Sequence, residues 1–501
     1  MDIGDSGRTV MFSGSAARSA CWRPPSRAFR IPLRRGNGGT RINIMRMKLA
    51  RKKFARQYRR SPTFLLGLWF FVILLVGTLL LTLPVSQRTV AAPIDPLTAL
   101  FTAVSAFCVT GLTVVDTHDS FSFFGQWVIL VLIELGGVGI MTFAGLAFSI
   151  MGRRLSMAGQ AALTDAIFQN DAALEFGRLF GCMLKAVAAI QAVGAAALYL
   201  SLGSAGGATV GERIWSALFH SVSAFCNAGF SIYRNNLESL AGNKAFLFVI
   251  AALVVLGGFG HATLAELYRL PGQIRGTEKK PHWLSLNSRV ALTVTAILLA
   301  LGAISVSLSD WLFSGDKSPG VFHSIFHSVI ARTAGFNSTP LAGMPLPSCL
   351  FLCLLMFAGG SPGSCAGGVK TTSLAIWIAR IRANLRHDSN VNLLGYSIAR
   401  DLVSKARIIM ALSVSWVVVG VVFLSISQPG ARLDVLLFEQ VSAFATVGLT
   451  MGYTPELSAV SRLWIIVSMI MGKFGPLTVA LWMISPTPGN VRHPEGRLMI
   501  G

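Results

Sequence analysis

Charge is what this sequence has least of. Only 13% of its 501 residues are Asp, Glu, Lys or Arg, while 53% are hydrophobic and the mean hydropathy is +0.62. A soluble chain of that length needs far more charge to cover its surface, so the composition points to a membrane protein. Acidic residues are the scarcer sign, 21 against 43 basic, which leaves a net charge of +22. That excess does not imply nucleic acid, because the basic residues are not interleaved with stacking aromatics. They crowd the N-terminus (RMKLARKKFARQYRR) and short segments beside apolar runs, as the positive-inside rule requires. Seven cysteines show neither metal-ligand nor disulfide spacing. Cys349 and Cys353, four apart in an apolar run, share a helix face and read as packing. Residues 1–62 lack the apolar core of a secretory signal and read as a basic, disordered cytoplasmic tail.

Long apolar runs are what the sequence has instead. They cover 64–84, 123–150, 182–202, 245–260, 290–308, 346–360, 408–427 and 463–484, each long enough to cross a bilayer alone or with its flanks. Basic residues gather after the even-numbered runs: Arg153 and Arg154, then Arg269, Arg275, Lys279 and Lys280, then Arg380, Arg382 and Arg386. Eight spans with both termini cytoplasmic follow.

Between each odd run and the next even one lies a segment too short and too polar to cross. In order these are LFTAVSAFCVTGLTVVDT, LFHSVSAFCNAGFSIYRNN, IFHSVIARTAGFNSTP and FEQVSAFATVGLTMGYTP. Each joins a short amphipathic helix to a single glycine set among hydroxyl and β-branched residues. The glycines are Gly111, Gly229, Gly335 and Gly448, separated by 118, 106 and 113 residues. The unit is span, half-crossing helix, glycine loop, span, repeated four times. Its expected boundaries are 63–152, 175–270, 288–386 and 405–486, followed by a tail over 487–501. Irregular backbone at membrane depth is costly unless its carbonyls face a cavity or an ion. Four such loops around one axis offer rings of carbonyl oxygens able to replace the hydration shell of potassium.

TGLTV, NAGFS, TAGFN and TVGLT resemble the four selectivity-filter segments of the Trk/Ktr/HKT superfamily of potassium transporters. ELGGVGIMTF, GGSPGSCAGGVKTTS, GKFGPLTVAL and the C-terminal PEGRLMIG are similar to other stretches of that family, and the resemblance covers residues 63–501. With eight spans the chain looks closest to the membrane subunit of the Ktr system. The resemblance implies an all-α polytopic membrane protein with pseudo-fourfold symmetry around a central pore in one chain. It further implies a homodimer in the plasma membrane (the inner membrane of a bacterium) and a cytoplasmic nucleotide-binding ring as regulatory partner. Potassium is the expected ion, with sodium as a coupling or activating ion. No organic cofactor, enzymatic step or nucleic-acid partner is expected. Lys473 stands where the family often has arginine, and His261 where an aromatic and proline are more usual.

Filter contacts are expected from Thr110, Gly111, Ala228, Gly229, Thr333, Ala334, Gly335, Thr446, Val447 and Gly448. Thr110, Thr333 and Thr446 are placed directly before the glycines, where side chain and carbonyl both supply oxygen; Ala228 offers only its carbonyl.

The stretch AGGSPGSCAGGVKTTS interrupts an apolar run. GGSPG formally matches a nucleophile elbow, but Pro362 follows the serine and the flanks are helical rather than strand then helix. GSCAGGVKT misses a phosphate-binding loop because Val369 separates Gly368 from Lys370. A lysine inside a span is by default functional. In the family this segment is a flexible loop across the pore below the filter. The expected gate is 359–373, with Gly359, Gly360, Ser361, Gly363, Ser364, Gly367, Gly368, Lys370, Thr371 and Thr372 as its working residues. Lys370 would set a positive charge in the cation's path, and the hydroxyls would tether the loop.

Other charges leave alternatives. Asp116 either draws cations to the mouth or is an ordinary loop carboxylate. Glu439 either buttresses the filter or serves a local partner. Arg332 is expected to orient the third loop. Glu134 and Lys473 pair within the bundle or with each other. His220 and His327 read as packing, and the GGVG and GGFG sets as sites of close helix approach. The competing reading is a secondary transporter of another monovalent cation or a small solute, built on broken helices.

Overall fold

Proline and glycine punctuate the helices. The structure, a computed structural model, describes residues 62–88, 93–151, 176–203, 209–274, 284–314 and 320–475. The expected tail over 1–62 except Pro62, the tail over 487–501 and the basic residues Arg153, Arg154, Arg275, Lys279 and Lys280 lie outside the described residues. So does most of GKFGPLTVAL.

Helix α1 (Pro62–Thr82) is stopped by Leu83–Pro84, since proline cannot continue it. α2 (Pro96–Cys108) begins on a proline, whose fixed φ suits a first turn. After α3 (Thr117–Ser120) comes α4 (Phe123–Met151), then α5 (Phe176–Leu202) and α6 (Val210–Phe225). A reciprocal capping box starts α6, Thr209 accepting from the Glu212 N–H and Glu212 from the Thr209 N–H. α7 (Lys244–Gly258), capped by Asn243, and α8 (His261–Ile274) follow; then α9 (Leu286–Ser314), α10 (Val321–Ile330), α11 (Leu346–Phe357) and α12 (Thr371–Leu385). The order closes with α13 (Arg400–Ser427), α14 (Leu433–Ala445) and α15 (Ala459–Phe474). Helix, helix, extended loop, helix thus recurs as α1–α2–α4, α5–α6–α7, α9–α10–α11 and α13–α14–α15, and the middle members α2, α6, α10 and α14 are the short helices that lead into the loops.

Three features depart from expectation. At the end of the fourth apolar run, 245–260, the chain turns sharply, which the sequence reading did not foresee: α7 and α8 meet at 104° across Phe259–Gly260, where Gly260 has φ 82. The sixth run stops at Phe357, and Thr371 and Thr372 already belong to α12, so the loop spans Ala358–Lys370 rather than 359–373. A two-residue hairpin, β1 (Asn392–Leu393) with β2 (Tyr396–Ser397), interrupts the all-α order. Leu394 and Gly395 at its turn both take positive φ, which is the twist that two-residue hairpins favour.

Three helices are individually long and apolar enough to cross a membrane, over Met183–Leu202, Leu286–Phe313 and Arg400–Ser427, and the bent α7–α8 pair passes the same test together. The distribution of polarity is inverted relative to a soluble protein. Leu200 (77% exposed), Ile426 (76%) and Leu354 (69%) face outward, whereas Ser105, Ser223, His220, His327, Glu439 and Ser442 are fully buried. Water would penalise that outer surface; hydrocarbon would not.

Three glycines set how closely the long helices approach the short ones. A Cβ on Gly136 would fall 1.8 Å from Phe107 O, on Gly257 1.8 Å from Phe225 O, and on Gly472 1.7 Å from Phe444 O. Each of those carbonyls lies four residues before the glycine of its loop. In contrast, a Cβ on Gly258 would meet nothing nearer than the Asn227 amide at 3.7 Å. Gly257→Ala is therefore expected to destabilise at or above the upper end of the ~1–3 kcal/mol that overpacking costs. Gly258→Ala is expected to be tolerated. Thermal unfolding in detergent checks the pair, and equal loss in both would contradict the packing account.

Candidate functional site

The four loop glycines meet in cyclic order. A Cβ on Gly111 would fall 2.4 Å from Ala228 O, and one on Gly229 2.6 Å from Ala334 O. On Gly335 it would fall 2.3 Å from Val447 O, and on Gly448 2.0 Å from Thr110 O, which closes the circle. All four have positive φ, at 89, 70, 69 and 92°. Only glycine combines that backbone with such approach.

Two residues earlier, φ is again positive at Val109 (58°), Asn227 (60°), Thr333 (81°) and Thr446 (51°). This layer corrects the expected register. Thr333 and Thr446 stand level with Val109 and Asn227, while Thr110 stands level with Ala228, Ala334 and Val447. The three threonines do not form one set directly before the glycines. Non-glycine residues in the left-handed region carry strain that surrounding structure must hold. Here the short helices hold it. Val109 N–H reaches Ala106 O (3.1 Å), Thr110 N–H reaches Ser105 O (2.8 Å) and Gly111 N–H reaches Ser105 Oγ (3.1 Å). Thr446, Val447 and Gly448 repeat the pattern on Ala443 O, Ser442 O and Ser442 Oγ. Thr110 Oγ1 and Thr446 Oγ1 are buried without a hydrogen-bond partner among the described residues. Thr333 Oγ1 instead donates to Asn227 Oδ1 (3.3 Å), once that amide is turned to donate to Val254 O and Ala224 O (both 3.1 Å).

Buried polar groups tie three of the four short helices, α6, α10 and α14, to the chain beyond their glycines. Glu439 accepts from the hydroxyls of Thr450 and Thr454 (2.7 Å for the latter) and from Met451 N–H (3.2 Å). His220 Nε2 meets Ser231 Oγ at 2.9 Å, and His327 Nε2 meets Thr339 Oγ1 at 2.8 Å. The histidines are thus polar braces rather than plain packing. Glu439→Leu would leave the Met451 N–H and at least one of the two threonine hydroxyls, which also bond each other at 3.0 Å, without an acceptor, at ~1–3 kcal/mol for each one fully buried. It is expected to lower the thermal transition in detergent clearly more than Glu439→Gln, which keeps one acceptor; equal effects would refute the brace.

The Ala358–Lys370 loop lies against this ring. A Cβ on Gly367 would fall 2.1 Å from Thr446 Oγ1, and Gly368 (φ 65°) faces Ala445. Arg332 Nη2 donates to Gly359 O (3.3 Å), so this side chain ties the third glycine loop to the interrupted segment. Ser361 N–H donates to Gly258 O (3.1 Å) and His261 N–H to Gly363 O (3.2 Å), fastening the loop into the α7–α8 break. Lys473 Nζ donates to Cys365 O (2.9 Å), and the Cys365 thiol is close enough to that of Cys226 to interact with it electrostatically.

The expected hydroxyl tethers differ. Ser361 Oγ and Thr371 Oγ1 are buried without a partner, Ser364 Oγ bonds Ser361 O within the loop (2.7 Å), and the ties to neighbours run through backbone. Lys370 Nζ turns back onto Ala366 O. With Ser361 unpartnered, the nucleophile-elbow reading has no base to activate it. Glu134 accepts from Gln191 (2.9 Å) and Cys226 (3.4 Å), and so has partners other than Lys473.

Asp116 caps α3, accepting from His118 N–H (2.8 Å), and also accepts from Asn235 N–H at 3.4 Å. The neighbouring Asp119 pairs with Arg234 at 2.8 Å. The hydrogen bonds from Arg234 and then from His118 hold its carboxyl below the usual carboxylate range. Sequence reasoning missed this link between the first and second loops. It also missed Asn227 and the Cys226–Cys365 contact, which join residues from different loops and have no counterpart within any one repeat.

Comparison with known proteins identifies the family. A family profile, TrkH, described as a cation transport protein, matches residues 69–492. The chain is 34% identical to the Ktr system potassium uptake protein B of Bacillus subtilis over 91% of its own length and 100% of that protein's. It is 33% identical to the potassium/sodium uptake protein NtpJ of Enterococcus hirae, covering 90% and 99% of the two chains. The crystal structure of the potassium transporter TrkH from Vibrio parahaemolyticus shares the fold with a TM-score of 0.65 at 18% identity, covering 83% of this chain and 84% of that one. The chain belongs to the TrkH family of cation transport proteins, which are multi-pass membrane proteins.

Proposed function

We propose that this protein takes up potassium across the plasma membrane through the ring formed by Gly111, Gly229, Gly335 and Gly448. The observation that carries the reading is the closed cycle of contacts among those glycines and the carbonyls beside them. A cation entering the ring exchanges its hydration shell for carbonyl oxygens of Thr110, Ala228, Ala334 and Val447, and of the residues in the layers above and below. Eight helices (α1, α4, α5, α7, α9, α11, α13 and α15) cross the membrane around this axis, and the four short helices enter halfway. Both termini lie in the cytoplasm, as the basic loops indicate. No bond is made or broken.

The Ala358–Lys370 loop is the gate. It touches elements of the second, third and fourth repeats at once, through Gly258, Arg332, Thr446 and Lys473. A loop so placed blocks an axis when closed and opens it by leaving the α7–α8 break. The resemblance of its motifs to Ktr membrane subunits further implies a homodimer working under a cytoplasmic nucleotide-binding ring. The name of the Enterococcus relative adds sodium, here as a coupling or activating ion.

The test is growth of a potassium-uptake-deficient bacterial strain at low potassium, expressing this chain with and without a Ktr-type ring subunit. Rescue by the chain, enhanced by the ring subunit, is expected. Correctly inserted protein that gives no rescue in either form would overturn the reading.

A further inference from the structure

Beyond the second ring glycine the chain doubles back. Asn235 and Asn236 both take left-handed backbone, at φ 52 and 61°, and this reversal returns a side chain to the ring it has just left. Asn236 Nδ2 donates to Gly229 O at 3.2 Å and to Gly335 O at 3.3 Å. Those carbonyls belong to the second and third loops, so one amide spans two neighbours of the cycle. The amide's orientation is determined by this contact, because turned over its oxygen would face two carbonyl oxygens.

Asn236 is held in place from both sides. Its backbone oxygen accepts from Ser231 Oγ (3.2 Å), the same hydroxyl that His220 braces from the short helix. The next residue, Leu237, donates its N–H to Asn337 O (3.2 Å) beyond the third glycine, and Asn337 donates to Glu238 (2.7 Å). Gly111 and Gly448 carry no such side-chain donor among the described residues. The glycine carbonyls are thus unequal, two held by Asn236 and two free of it.

We propose that Asn236 is a specificity-determining residue of the filter, setting its preference for potassium over sodium; this rests on the reading of the ring as a potassium pathway. A carbonyl oxygen has two lone pairs, so each held carbonyl keeps one for an ion. Donation from Nδ2 weakens the pull of that oxygen, and the shared amide fixes the separation between the two. Sodium, the smaller ion, requires stronger ligands that close in further. Both cavity size and ligand field are recognised routes to selectivity, and Asn236 acts on both in the same direction.

Two variants test this in the full chain, with rubidium or potassium uptake measured against rising sodium. Asn236→Gly removes the amide and accepts φ 61° without strain. Asn236→Asp keeps the shape but replaces the donor with an oxygen. In both, the potassium-to-sodium preference is expected to fall about tenfold. The apparent affinity for potassium should change, whereas the maximal rate should stay within about threefold of the parent. An unchanged preference and affinity in either inserted, transporting variant would overturn the proposal. Loss of all transport or of insertion in both would also overturn it, since that marks a purely structural role. If the parent chain itself carries no potassium, the proposed function fails instead, which separates the two failures.

Discussion

Gly448→Ala is expected to abolish potassium uptake while the protein still inserts in the membrane. Its Cβ would lie 2.0 Å from Thr110 O and 2.9 Å from the Gly111 α-carbon, at a φ of 92°. Left-handed backbone costs an ordinary L-residue ~1–2 kcal/mol, and a methyl group forced onto a backbone carbonyl costs ~1–3 kcal/mol more. The ring cannot absorb this locally, because each glycine touches the next loop and the displacement travels round the cycle. A combined penalty of about 3 kcal/mol corresponds to roughly a hundredfold loss of the conducting geometry. Gly452→Ala isolates the effect of the ring. Gly452 has nearly the same φ, 87°, but open space where its Cβ would go. It should cost stability and leave the ion preference intact. Uptake assays on the two variants decide the matter, and equal loss of transport in both would contradict a specific role for the ring. Gly335→Ser, with a Cβ 2.3 Å from Val447 O, should behave like Gly448→Ala.

Clamping the 358–370 loop is expected to stop uptake, and shortening it to release uptake from control. The thiol of Cys365 in the loop is close enough to that of Cys226 at the end of α6 to interact with it electrostatically. Treatment with diamide takes two electrons and two protons from the thiols, forms the Cys226–Cys365 disulfide, and is itself reduced to the hydrazine. Uptake should fall at least about tenfold and return with dithiothreitol, because a loop bonded to the short helix cannot leave the axis. Cys226→Ser and Cys365→Ser should each transport and ignore the oxidant. The opposite manipulation is sterically simple. Ala358 and Val369 form a parallel bridge, and a Cβ on Gly359 would fall 2.2 Å from Gly367 O, so the loop's ends already touch. Deleting 360–366 should therefore leave the flanking helices in place and raise uptake independently of any regulatory subunit. A deletion variant that inserts but conducts no faster than the parent would remove the gate from this account.

Much of this arrangement was legible in the sequence, for a physical reason. Gly111, Gly229, Gly335 and Gly448 recur because the backbone at each point excludes every other residue, and such constraints leave a residue-type signature. The apolar runs were legible because hydrocarbon imposes composition. The φ of a non-glycine residue leaves no comparable mark. Val109 and Thr446 take left-handed backbone as unremarkable residues, held by the Ser105 and Ser442 contacts, so that layer was hidden; that Thr333 and Thr446 stand two residues before their glycines is plain in TAGFN and TVGLT and was misread. The fourth apolar run was ended at Gly260, but nothing in FVIAALVVLGGFG announces the sharp turn there. That turn exists to receive the interrupted segment, whose Pro362 O lies 2.7 Å from where a Gly260 Cβ would be. Asn236 and the Cys226–Cys365 pair join residues far apart in the chain, and a single sequence gives no sign of such meetings.

Crystals of the protein grown in rubidium would test the central claim most directly, through the anomalous signal of an ion that mimics potassium. The expected result is density on the axis of the Gly111, Gly229, Gly335 and Gly448 ring, within coordination distance of carbonyls from all four loops. Rubidium bound elsewhere, with the ring closed by protein or water under saturating salt, would contradict it.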